Sequence, residues 1–90
     1  MNRTIITVVG KDAVGIIAKV CTYLAENHIN ILDISQTIIQ GFFNMMMIVD
    51  VHNASVDFAT FAGELNEIGQ EKGVVIHCQR EEIFEMMHRI

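Results

Sequence analysis

Proline occurs nowhere in this 90-residue chain, and no stretch is of low complexity, so there is no linker at which it would divide into two domains. Cysteine is scarce. Cys21 and Cys78 stand far apart with no C-x-x-C pair, which argues against a disulfide framework or a structural metal and fits a reducing, cytoplasmic setting. The six basic residues, Arg3, Lys11, Lys19, Lys72, Arg80 and Arg89, are scattered, and the net charge is −5. Neutralising phosphates needs a basic stripe, so nucleic acid is excluded as a partner. No apolar run approaches the ~20 residues needed to cross a bilayer, and no charged segment leading into an apolar one opens the chain; neither membrane nor secretory targeting is expected.

What the chain does have is apolar material, 51% of its residues, enough for a single core. A domain of this size buries about 60 to 65% of the surface its unfolded chain exposes, which leaves it marginally stable. With disulfides and a metal set aside, self-association is the expected supplement.

Residues 4–9 read TIITVV, a β-branched run too short for a helix and stopped by Gly10, and predict a first strand. From Val14 on, Ile17, Val20, Cys21 and Leu24 fall at helical spacing with Lys19 and Glu26 opposite, so an amphipathic helix follows, ended by a left-handed Asn27. Strands over 29–39 and 42–51, separated by Gln40 and Gly41, predict a tight antiparallel hairpin. In the second of these, Phe43, Met45, Met47, Val49 and Val51 form the face turned to the core. Phe42, Met46 and Ile48 make the other face apolar too, so something is expected to cover part of it.

Ser55 is the expected cap of a second helix with Asp57 in its first turn, an apolar stripe of Phe58, Phe61, Ala62, Leu65 and Ile68, and a stop at Gly73. Thr60, Glu64, Glu67 and Glu71 form its wet side. A strand over 74–78 follows. Residues 81–90, with Ile83, Met87 and Ile90 at i, i+4 and i+7, predict a short terminal helix that covers the free sheet face or grips a neighbouring subunit. The order is βαββαβ plus that helix: an α+β, ferredoxin-like sandwich of a four-stranded antiparallel sheet with two helices on one face.

The junction GKDAVGI, residues 10–16, joins the first strand to the first helix. Glycines before a helix N-terminus suit an anion, but the K-[ST] pair of a phosphate loop is replaced here by Ile16 and Ile17, and no G-x-G-x-x-G exists. In the plain structural reading Asp12 caps the helix, Gly10 ends the strand and Gly15 lets the helix pack closely on the sheet. A glycine in the first helical turn costs about 1 kcal/mol relative to alanine, so close approach by a backbone or a ligand is needed to explain it.

The stretch GKDAVGIIAKVCTYLAENHINILDISQTI, with its D-x-x-G-[ILV] turn and the later N-[IV] pair, resembles the signature of ACT domains, small-molecule-sensing modules of amino-acid metabolism. The similarity covers residues 1 to about 80, leaving 81–90 as a helical extension of the same domain. It is greatest to short stand-alone ACT proteins and to the ACT modules of glycine-cleavage regulators and formyltetrahydrofolate hydrolases. The resemblance implies a homodimer joined through the edge strand 2, with an amino acid or similar metabolite between the first loop of one subunit and strand 2 of the other. On matching positions it implicates Gly10, Lys11, Asp12, Gly15 and Ile16 from the loop and Asn30 and Ile31 from the strand. Asp12 would accept an ammonium group, Asn30 would bond a carboxylate or side chain, and Gly15 would let the backbone approach. Val14 stands where the family often has proline, and Gly10 where some serine-sensing members place histidine, so the resemblance does not name the ligand.

No other constellation points to chemistry. His28, His52, His77 and His88 lack metal-ligand spacing; Asp50 and His52 read as a solvated strand end, and no metal or other cofactor is expected. Cys21 and Cys78 read as packing residues, Ser35 and Thr37 lack a base partner, and no catalytic residue is assigned. Met45 and Met47 point inward, leaving Met46 free. Glu64, Glu67 and Glu71 make a negative stripe that reads as solvated. The sequence therefore predicts a non-enzymatic, cytoplasmic regulatory module that binds a small metabolite as a homodimer. The alternative is a ligand-free dimerisation or docking module acting on a protein target such as a metabolic enzyme or repressor.

Overall fold

Alternation along β-strands gives the sheet two faces, and the computed structural model, which describes residues 3–11 and 15–81, packs both helices against the one that carries the core. The elements are β1 (Arg3–Gly10), α1 (Ile16–Glu26), β2 (Asn30–Ile39), β3 (Phe42–Asp50), α2 (Phe58–Lys72) and β4 (Val75–Arg80). The sheet order is β2-β3-β1-β4, and every neighbouring pair is antiparallel. This is the ferredoxin-like βαββαβ arrangement, and it leaves β2 and β4 as the edges. The predicted terminal helix falls on residues 82–90, outside the described residues.

Ile6 and Val8 of β1, Met45, Met47 and Val49 of β3, and Ile76 of β4 meet Val20 and Leu24 of α1 and Phe61 and Leu65 of α2 in one core, and Thr4 of β1 is buried as well. Each buried apolar side chain of this size stabilises the fold by about 1.5–3 kcal/mol. Tyr23 and Phe58 extend that core, their ring centroids 6.3 and 6.2 Å from that of Phe61.

The turns follow from local chemistry. Gln40 and Gly41 both have positive φ, 51° and 83°, the requirement of the two-residue hairpin turn that matches strand twist. Leu32 bulges out of β2, so that Ile31 faces Val49 while Asp33 faces Ile48. Both helices end in the same motif. The N–H of Ile29 bonds to the Leu24 carbonyl and that of His28 to Ala25; the N–H of Val74 bonds to Gly69 and that of Gly73 to Gln70. Gly73 is the left-handed residue of the second motif, as expected. In the first it is His28, φ 60°, and not Asn27, whose φ is −103°.

Two further expectations about helix starts are corrected. Asp57, not Ser55, caps α2: its carboxylate accepts the Thr60 N–H at 2.8 Å. Ser55 is engaged elsewhere, its N–H on the Asn27 carbonyl and its Oγ in a 2.8 Å hydrogen bond with His28 Nδ1. At α1 the N-cap position belongs to Gly15, no side chain among the described residues caps it, and the helix opens at Ile16. Asp12, the expected cap, and Val14 lie outside the described residues.

Candidate functional site

β1 delivers Gly10 and Lys11 to the end of the sheet where the β2–β3 hairpin also turns, and Gly10 sits opposite Phe43. A Cβ on Gly10 would stand 2.9 Å from Cβ of Val74, so this glycine makes room for the chain entering β4. Lys11 Nζ lies 5.9 Å from the centre of the Phe42 ring, within cation–π range. Gly15 has φ 79°, a conformation that L side chains rarely adopt, and no described atom would stand closer than ordinary van der Waals contact to a Cβ there. Among the described residues nothing packs tightly against it, contrary to expectation: it is the left-handed residue that precedes the helix, not a spacer inside it.

Among the described residues, a Cβ on Gly15 would meet Lys72 Nζ, at 3.9 Å. Sequence reading missed Lys72 here, because nothing in local spacing links the last residue of α2 to the start of α1. The opening of α1, which no side chain caps among the described residues, carries the positive end of the helix dipole with lysine at hand: a place suited to a carboxylate. Ile16 contributes only its backbone, since its side chain is 1% exposed in the core.

Asn30 and Ile31 lie elsewhere. Asn30 pairs with Asp50, which also pairs with Arg3, so it stands at the opposite end of the sheet from Gly10. Seven residue steps of β1 at about 3.4 Å put roughly 24 Å between the two ends, far beyond the length of an amino acid. Asn30 is exposed and Ile31 half-buried against the core. Around them are the His28–Ser55 pair and Asp50, whose carboxylate accepts the His52 N–H at 2.9 Å. Within one chain, Asn30 and Ile31 stand at the end of the sheet opposite Gly10 and do not join it.

A separate cleft of about 200 Å³ runs between the outer faces of α1 and α2, where Glu26, Glu64, Glu67 and Glu71 outnumber Lys19. Tyr23 donates a 2.6 Å hydrogen bond to Glu64 Oε1 across it. Burial, then that bond to a carboxylate, raise the Tyr23 pKa, so the phenol stays a donor. Both cysteines are free and half-buried, and burial pushes the Cys78 thiol up to about 12, which suppresses the thiolate needed for nucleophilic work. Among the described residues no three His, Cys, Asp or Glu side chains converge as metal ligands would. Among the described residues no helix is long and apolar enough to cross a membrane.

Known proteins share this architecture. A UPF0237 protein of Bifidobacterium longum is 64% identical over 90 residues, covering 100% of both chains, and one of Methanocaldococcus jannaschii is 52% identical over the same span. Among solved structures, an ACT domain protein from Streptococcus pneumoniae superposes with a TM-score of 0.81 at 43% identity, covering 93% of this chain and 94% of that one. A formyltetrahydrofolate deformylase from Pseudomonas syringae shares the fold alone, with TM-score 0.80, 23% identity and coverage of 89% of this chain but 28% of the longer enzyme. A putative glycine cleavage system transcriptional repressor is similar in the same sense, with TM-score 0.72, 22% identity and coverage of 88% and 45%. The ACT domain family model matches residues 2–79. With that match and this topology, the chain belongs to the ACT domain family, whose members are generally regulatory, ligand-binding modules.

Proposed function

We propose that the chain is a cytoplasmic, non-catalytic regulatory module that binds an amino acid or similar small metabolite between two copies paired edge to edge through β2. The observation that carries this reading is the separation of the two half-sites at opposite ends of one sheet. Antiparallel pairing of two β2 strands reverses one copy relative to the other. Centred near Ser35, it sets Asn30 of the second copy beside Gln40 of the first, toward the end that holds Gly10, Lys11 and Gly15. The state of β2 supports such pairing: nine of its ten residues are exposed, Ile38 to 76% and Ile34 to 40%, on an unpaired edge. In this arrangement the opening of α1, with Lys11 and Lys72, takes the carboxylate, and Asn30 of the second copy takes the remaining polar group. Asp12 is the proposed acceptor for the ammonium.

A thermal-shift panel of amino acids tests the reading. A ligand at a hundred times its dissociation constant adds about 2.7 kcal/mol, which raises the melting point of a domain this size by about 10–20 °C. Asn30→Ala is expected to abolish that shift while leaving the dimer intact. A panel in which no compound moves the melting point of a stable dimer overturns the ligand reading. It would favour the second one, a ligand-free docking or dimerisation module acting on a protein target, for which the exposed apolar tip formed by Ile38, Ile39 and Phe42 speaks.

A further inference from the structure

The stretch ISQTI in β2, residues 34–38, has the same side-chain chemistry from either end: isoleucine, hydroxyl, amide, hydroxyl, isoleucine. It lies in the regular part of β2 that follows the Leu32 bulge, Asp33 to Ile39, and the midpoint of that part is Gln36. Pairing with β3 sorts these side chains by face. Ile34, Gln36 and Ile38 stand opposite the buried Met47, Met45 and Phe43 and share the helix side, whereas Ser35 and Thr37 stand opposite Met46 and Asn44 on the outer side. The described helices do not cover the first row: Ile34 is 40% and Ile38 76% exposed, with Gln36 exposed between them. Nor does the neighbouring helix bring charge to it. Lys19 and Glu26, the charged residues of α1, line its cleft with α2, and the flank away from that cleft carries Ile17, Cys21 and Ala25. Asp33 is the one charged residue of β2. On a chain of net charge −5, this is where a second copy approaches with little like-charge repulsion.

We propose that the second copy pairs with β2 about a two-fold axis at Gln36, and that the two Gln36 amides bond to each other across it. The inference rests on the edge-to-edge reading above and fixes its register. In an isologous interface residue i of one copy meets j of the other and j meets i, so a strand that pairs with itself must match itself in both directions about the axis. ISQTI does so about Gln36. Ile34 then meets Ile38 of the second copy, Ser35 meets Thr37, and each Gln36 amide finds in its twin both a donor and an acceptor. An axis at Ser35 or Thr37 instead sets the amide against Ile34 or Ile38, which can satisfy neither. The Ser35 axis also runs the pairing into the bulge, with Ile38 against Leu32. With the axis at Gln36, Asn30 of the second copy comes level with Gly41 and Phe42, and over the Phe42 ring stands Lys11. The amide thus positions the two half-sites relative to each other without touching a ligand.

Oxidation of Gln36→Cys in the full-length chain, read by non-reducing electrophoresis, tests the register, with the parent and its two free cysteines as control. Side chains directly opposite each other stand about 4.5–5.5 Å apart at Cβ, close to disulfide geometry, and diagonal ones about 7–8 Å apart, beyond it. Gln36→Cys is therefore expected to give covalent dimer above the parent level. Ser35→Cys and Thr37→Cys should each fail to do so alone, yet cross-link when refolded together in equal amounts. That mixture reports the same axis should the thiols at position 36 be held out of bonding geometry. Covalent dimer from Ser35→Cys or Thr37→Cys alone overturns the Gln36 axis and leaves the β2 pairing standing. A dimer by light scattering in which neither Gln36→Cys nor the mixture cross-links also overturns it. A parent chain that is monomeric by light scattering overturns the β2 pairing itself, and the register with it.

Discussion

Thr4 stands at the start of β1 with its side chain 1% exposed and its hydroxyl without a hydrogen-bond partner among the described residues. A buried donor left unpaired costs about 1–3 kcal/mol, and valine fills nearly the same volume without that need. Thr4→Val is therefore expected to stabilise the domain by about 1 kcal/mol in urea denaturation, and a loss of stability would show that the hydroxyl has a partner after all. Reading TIITVV marks Thr4 as a strand residue but not as a core one, because a polar residue in a β-branched run is equally at home on either face. Gly15 was conspicuous in the sequence for a related reason. Its type signalled a backbone constraint, yet spacing alone could not separate tight packing from positive φ; the structure shows the latter, with Lys72 as the neighbour that no local pattern suggests.

The six regular elements were legible to within one or two residues, because period-2 and period-3.6 apolar patterns and the Gln40–Gly41 and Gly73 breaks are local properties. Helix starts were less so, since Ser55 and Asp57 are both competent caps and the choice fell to the one without a rival partner. His28, held left-handed by the end of α1, takes the Ser55 hydroxyl, and Asp57 is left to cap α2. Hydrogen bonds from Thr60, its backbone N–H first, hold the Asp57 carboxyl below its ordinary 3.8. A carboxyl whose pKa is lowered by folding favours the native state once it is charged. Its contribution is thus fully present above pH 3.8 and fades as pH falls through the lowered native value. Asp57→Ala should accordingly melt below the parent at pH 7, and the gap between the two should narrow below pH 3.8. A gap that stays constant into acid would mean that the carboxylate charge plays no part in the cap.

Across the whole molecule, the order β2-β3-β1-β4 makes β2 an edge and sends the Gly10 and Asn30 groups to opposite ends of the sheet. If two copies pair along β2, Ile38, 76% exposed, lies at the seam. Ile38→Lys is expected to shift the chain from dimer to monomer in size-exclusion chromatography with light scattering while leaving the fold intact; an unchanged dimer would place the interface elsewhere. The sequence by itself determined the element types, the core-facing stripe of each element, the ferredoxin-like order and the resemblance to ACT domains, because each depends on contacts or periodicities a few residues long. Only the tertiary structure decided that Lys72 stands at Gly15, that Val74 occupies the space a side chain on Gly10 would need, and that Gly10 and Asn30 lie at opposite ends of the sheet. Those facts depend on strand register and on which elements become neighbours across long stretches of chain, and free energy gained by packing the whole core, not local preference, selects both.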